Sequence, residues 1–300
     1  MITPPALKPG DQVALLAPAG RLTSCNSIDL AVQALEKRGL KPFVHKQSCA
    51  RFGSLAGTDE ERIQALTEAL HNPSIKAVWP VRGGYGSIRI IDKIDPKWIK
   101  QNPKWIIGFS DITTLHILWN RSGITALHGL MPVNLSTGYT PRSLNMLMDF
   151  LSGRKPSVQI PRDSANLNEK NLRARLIGGN LTTFFALIAR GNLNFKDKIV
   201  FLEDVGEHLY AIDRMFQALK LAGLFHKAAA LIIGQFTGIM QDNPPFPFSV
   251  KQIVSDLAKQ TGIPVFFNFP AGHTRENLPL LLGNNYEIKV NKLFWELIPV

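Results

Sequence analysis

A hydrolytic serine needs a general base to take its proton, an acceptor to hold that base, and backbone amides to receive the developing oxyanion. Ser110 follows the apolar run Trp105-Ile106-Ile107-Gly108-Phe109 and precedes a segment with helical apolar spacing at Leu115 and Leu118. It therefore stands on a strand-to-helix turn, with the Asp111 amide at the helix N-terminus, where partial positive charge gathers. A serine there is either a nucleophile with half an oxyanion hole beside it or simply an N-cap.

Seven histidines are available as a base. His45 and His71 lie in a strand and at a helix end, His116 faces largely away from Ser110 along the same helix, and His226 suits a helix terminus. His128, His208 and His273 remain, and His273 stands in the small-residue loop Pro270-Ala271-Gly272-His273 after a strand. Glu203 ends the apolar strand Lys198-Ile199-Val200-Phe201-Leu202, where a carboxylate is costly to bury unless something pairs with it. It could orient His273; Asp204 and Glu207 compete for that role. No His-Glu-x-x-His occurs and no two histidines form a chelating pair on one helix face, so no metal is expected.

Arg82-Gly83-Gly84-Tyr85-Gly86-Ser87 comes between a strand and a helix, where glycines let backbone amides approach a ligand. It is neither a dinucleotide fingerprint nor a Walker loop. In an open parallel sheet ligands bind beyond the carboxyl ends of strands, so this loop and Ser110 can share one crevice.

The elements that must position these residues alternate. Strands are expected at Gln12 to Pro18, Lys41 to Lys46, Ile75 to Val81, Lys104 to Gly108 and Ile124 to His128, with helices between them. Thr58-Asp59-Glu60-Glu61 is a capping box for one of these helices. This pattern implies an α/β N-terminal domain, a mostly parallel sheet flanked by helices, over 1–135. The rhythm is lost between 136 and 172, read as a linker containing one helix, Pro141 to Leu151. A second, smaller α/β or β-rich domain is expected over 173–300, with a helix to about Arg190 and a closing hairpin around Asn291-Lys292.

The chain has 300 residues, 45% hydrophobic and 19% charged, which excludes a disordered protein. Its net charge of +11 is compatible with nucleic acid, a membrane surface or a small anionic substrate. The cations are dispersed rather than gathered with aromatics, which argues against nucleic acid. Cys25 and Cys49 suggest neither a metal site nor a disulfide framework, so a reducing compartment fits. With no signal-peptide core and no membrane span in the sequence, the expected location is cytoplasmic.

Gly-Phe-Ser-Asp at 108–111, Arg-Gly-Gly-Tyr-Gly-Ser at 82–87, Phe-Leu-Glu-Asp-Val-Gly-Glu at 201–207, Tyr-Ala-Ile-Asp-Arg-Met at 210–215 and Gly-His at 272–273 resemble, in order, the muramoyltetrapeptide L,D-carboxypeptidases of serine peptidase family S66. The resemblance implies Ser110 as nucleophile, His273 as general base and Glu203 as its orienting residue. It also implies oxyanion-hole amides from Asp111 and from Gly83 or Gly84. Family members need no cofactor, are cytoplasmic and usually homodimeric. They remove the terminal D-Ala from L-Ala-γ-D-Glu-meso-diaminopimelate-D-Ala in cell-wall recycling. Arg82 is a candidate contact for a substrate anion.

One departure is His128-Gly129-Leu130-Met131, where the family often has His-Gly-Pro-Met and this chain carries its proline at 132. A related branch that hydrolyses peptidyl-nucleotide antibiotics for self-immunity is the second reading. A non-catalytic binding module for anionic peptides, with Ser110 only capping a helix, is the third.

Overall fold

The computed structural model describes residues 1–162, 171–188, 191 and 193–300. Two compact units divide the chain: 1–154 with 275–283, and 155–274 with 284–300.

The first unit begins β1 (Gln12–Leu16), α1 (Asn26–Glu36), β2 (Lys41–Val44), α2 (Asp59–His71), β3 (Ile75–Pro80) and α3 (Ser87–Ile90). It continues α4 (Pro96–Gln101), β4 (Trp105–Gly108), α5 (Thr113–Arg121), β5 (Ala126–His128), α6 (Pro132–Thr137) and α7 (Pro141–Leu151). The second unit holds β6 (Val158–Pro161), β7 (Leu172–Asn180), α8 (Leu181–Ala186), β8 (Lys198–Val205), α9 (Leu209–Leu221), β9 (Ala230–Thr237), α10 (Val250–Thr261) and β10 (Val265–Phe266). After β11 (Leu280–Leu282), which belongs to the first unit, β12 (Asn285–Val290) and β13 (Phe294–Pro299) return to the second.

In the first unit the sheet order is β11-β5-β4-β3-β1-β2, parallel throughout except that β11 runs antiparallel to β5. Val13 to Leu16 are fully buried, as a strand covered on both faces requires. The Thr58–Glu61 capping box forms as read from the sequence. In the second unit the order is β10-β9-β8-β7-β12-β13-β6. Here β7 to β10 are parallel and β12, β13 and β6 antiparallel, with β12 and β13 making the expected hairpin. The architecture is two α/β units with mixed sheets flanked by helices.

Two expectations are changed. The break at 154 falls inside the expected 136–172 linker, with α7 belonging to the first unit and 158–161 forming an edge strand of the second sheet, but residues 275–283 of the expected second domain return to the first unit. Residues 163–170 of the expected linker, and 189–190 at the end of the expected helix, lie outside the described residues. The absence of a disulfide is corrected: Cys25 and Cys49 are bonded at 1.99 Å. Parallel pairing of β1 with β2 brings the segments that follow both strands to the same sheet end, which a separation of 24 residues does not reveal.

Two buried bases load this core. Lys104 is 1% exposed, donates to the carbonyls of Asn72 and Ile75, and is pushed down to about 8 by burial, with Lys76 adding repulsion. His116 is 1% exposed with neither ring nitrogen hydrogen-bonded among the described residues, and burial holds it well below the ordinary histidine range.

Their pH signatures are opposite ends of one rule. The unfolded chain binds the lysine proton up to about pH 10.5 and the native state only to about 8, so stability rises with pH across that window. The full difference is on the order of 3 kcal/mol, and denaturant unfolding of Lys104→Met at pH 8 to 10 is expected to lack that slope. His116 must stay neutral to fold, so stability falls as pH drops below about 6.5. His116→Leu is expected to flatten that decline in the same measurement.

Candidate active site

β4 ends in Gly108, Phe109 stays extended, and Ser110 turns to φ 61°. A left-handed serine costs on the order of 1 kcal/mol and is retained where a turn demands it. Ser110 opens a 3₁₀ turn, 110–112, that runs into α5, and the N-cap positions of that turn and of α5 are Phe109 and Ile112, not Ser110. The N-cap reading of Ser110 therefore fails on geometry. The side chain is left on a sharp strand-to-helix turn at the carboxyl end of its strand.

β3 lies beside β4, and the glycine loop that follows it touches this turn. A Cβ added at Gly83 would come within 3.1 Å of Ser110 Cβ and 3.4 Å of the Asp111 nitrogen. The Gly20 amide donates to the Gly83 carbonyl at 2.8 Å. Since C=O and N–H point oppositely across a trans peptide, the Gly84 N–H is aimed away from Gly20. Arg82 is half-buried, and its Nη1 donates to the Arg21 carbonyl at 2.6 Å, so it braces this loop whatever else it contacts.

Asp111 does more than offer an amide. Its Oδ2 accepts from the Ser87 amide at 2.9 Å and its carbonyl from the Ser87 hydroxyl at 2.7 Å. Burial pushes this carboxyl upward and the Ser87 contacts pull it back. The result is a double latch between glycine loop and serine turn, hidden from a sequence reading that valued Asp111 only for its backbone. Downstream, Pro132 starts α6 and Trp79 Nε1 holds the Leu130 carbonyl at 2.7 Å. The displaced proline thus serves as a helix start.

In the second unit Glu203 has no solvent exposure at the end of β8, and its Oε2 lies 2.9 Å from His273 Nδ1. His273 itself is 20% exposed. The preceding Gly272 has φ +134°, and a Cβ there would meet Glu203 Oε2 at 3.1 Å and the Gln235 carbonyl at 3.0 Å. Only glycine lets the carboxylate approach. Burial pushes the Glu203 carboxyl up while His273 holds it down. Thr237 Oγ1 donates to the His273 carbonyl at 3.3 Å.

The competing carboxylates are engaged elsewhere. Asp204 accepts from Asn180 Nδ2 and from the Thr182 amide and hydroxyl at 2.8 to 2.9 Å, anchoring the start of α8. Glu207 accepts from Thr182 Oγ1 at 3.1 Å. Of the other candidate bases, His128 is buried against Asn277 Oδ1 at 3.2 Å, and His208 pairs with Asp242 at 2.8 Å. No cluster of three or more metal-ligating side chains occurs among the described residues. No described helix is long and apolar enough to cross a membrane.

One unit thus holds a serine in a left-handed turn beside a glycine loop, and the other a carboxylate-held imidazole. Residues 13–129 match the LD-carboxypeptidase N-terminal domain of peptidase family S66, and residues 173–288 match its C-terminal domain. A Synechocystis sp. protein with a provisional carboxypeptidase designation is 34% identical over 96% of this chain and 94% of its own. The murein tetrapeptide carboxypeptidase of Pseudomonas aeruginosa is 29% identical over 95% of each chain. Among solved structures, the muramoyltetrapeptide carboxypeptidase of Oxalobacter formigenes superposes with a TM-score of 0.87 at 25% identity, covering 96% of this chain and 98% of that one. The microcin C7 self immunity protein MccF superposes at 0.86 over 99% and 98%, at 23% identity, and so shares the fold alone. With its motifs in order and both domains matched, the chain belongs to the S66 family of LD-carboxypeptidases and is a serine carboxypeptidase.

Proposed function

We propose that the enzyme removes the terminal D-Ala from murein tetrapeptide, with Ser110 as nucleophile, His273 as general base and Glu203 as the group that orients it. The observation that carries this is the Glu203–His273 hydrogen bond, because a buried carboxylate on Nδ1 leaves Nε2 as the proton acceptor. In the proposed reaction Nε2 takes the Ser110 proton and Oγ attacks the diaminopimelyl carbonyl. The Asp111 amide, with that of Gly83 or Gly84, receives the oxyanion. The tetrahedral adduct collapses with His273 donating its proton to the departing D-Ala amine, and water then hydrolyses the acyl-enzyme by the same route.

The substrate choice rests on the names of the Pseudomonas and Oxalobacter relatives and agrees with chemistry. A peptide bearing several carboxylates suits a chain of net charge +11, and Arg82 is the proposed contact for one of them. A role in cell-wall recycling, a cytoplasmic setting and a homodimer belong to the same proposal, on family resemblance.

Mass spectrometry of murein tetrapeptide incubated with purified protein is expected to show loss of one D-Ala. Ser110→Ala and His273→Ala should lower kcat by more than about 1000-fold. Gly83→Ala, which pushes a methyl into Ser110, should cost about 100- to 1000-fold with the fold intact. An unchanged tetrapeptide alongside cleavage of an aminoacyl-nucleotide amide would favour the immunity-type reading instead.

A further inference from the structure

We propose that Arg62, which takes no part in the reaction proposed above, is a positioning residue that fixes the glycine loop from behind. The inference rests on the reading of Ser110 and Asp111 given above. Arg62 lies in the second turn of α2 and has no solvent exposure. Its Nη1 donates to the carbonyl of Pro18 at 2.9 Å and to that of Gly86 at 2.8 Å, and Nη2 bonds Asp59.

A guanidinium taken wholly out of water is costly unless its donors are met, and here the acceptors are informative. Pro18 stands just beyond β1, on the segment whose Gly20 amide holds the Gly83 carbonyl. Gly86 is the last residue of the glycine loop, with φ +133°, and a Cβ there would lie 2.7 Å from Arg62 Nη1. The loop therefore comes down directly onto the guanidinium. One residue on, Ser87 makes the double bond pair to Asp111. Asp59, the anion beside Arg62, also receives Arg89 of α3 through Nε and Nη2 at 2.8 to 3.1 Å.

Helix α3 is consequently pinned at Gly86 by Arg62, at Ser87 by Asp111 and at Arg89 by Asp59. Any shift of Gly86 passes through Ser87 to the side chain and carbonyl of Asp111, the residue whose own amide is the proposed oxyanion donor. Such donors act over about 2.7 to 3.1 Å, and a misplacement of about 1 Å can cost on the order of 100-fold. A planar fork reaching two carbonyls and a carboxylate is not reproduced by the single ammonium of lysine.

The test compares wild type with Arg62→Met, Arg62→Lys and the milder Asp59→Asn. The readouts are the rate at which a fluorophosphonate labels Ser110, kcat and KM on murein tetrapeptide, and Tm. Arg62→Met should lower labelling and kcat by about 10- to 100-fold, with KM changed by less than about threefold and the acid limb of the pH profile unmoved. Arg62→Lys and Asp59→Asn should fall between. Folded Arg62→Met or Asp59→Asn protein with labelling and kcat within twofold of wild type, or with the whole effect in KM, overturns the proposal. If Arg62→Met does not fold, Asp59→Asn decides alone. A wild type that leaves tetrapeptide intact but labels at Ser110, with slower labelling in the variants, refutes the substrate and upholds Arg62. A wild type whose Ser110 is not labelled refutes both.

Discussion

Glu203 occupies the end of a strand with no access to water, and a carboxylate there is tolerated only with a partner of opposite polarity close at hand. His273 is that partner, and the arrangement makes a demand on everything near it. The loop before the histidine must be glycine to let the oxygen in, and its carbonyl is held by Thr237 at the end of the neighbouring strand β9. The same burial that raises the carboxyl makes its bond to the imidazole strong, since no water competes. Orientation of the imidazole is thereby built into the core rather than left to a surface loop.

The other unit solves a complementary problem with backbone. Ser110 is held in a left-handed turn, and the glycine loop of the adjacent strand is drawn against it until a Cβ at Gly83 would press on that of Ser110 at 3.1 Å. Bonds from Gly20, Ser87 and Arg82 secure that loop on several sides. Strain at one residue is sustained because many ordinary hydrogen bonds around it determine where it must sit.

How far this could be read from residues alone depended on what kind of contact was involved. Buried parallel strands announce themselves by unbroken apolar runs, so Ser110, the glycine loop and Glu203 could all be set at strand ends. Choosing Glu203 over Asp204 was another matter, because successive strand residues face opposite ways and only the folded register shows which face holds the histidine. Arg62 was invisible for a related reason: on a polar, well-capped helix an arginine reads as solvated, whereas this one is fully buried. The Cys25–Cys49 bond likewise needed the pairing of β1 with β2, which spacing does not encode.

The return of 275–283 into the first unit has a topological consequence. The chain passes between units after 154, after 274 and after 283, so neither unit is a continuous stretch of polypeptide. Cutting the gene at 154 would leave β5 without β11 along one side, an unpaired backbone edge of the kind that recruits other chains. Joining either half to a new companion would therefore also mean rerouting the 275–283 segment that supplies β11.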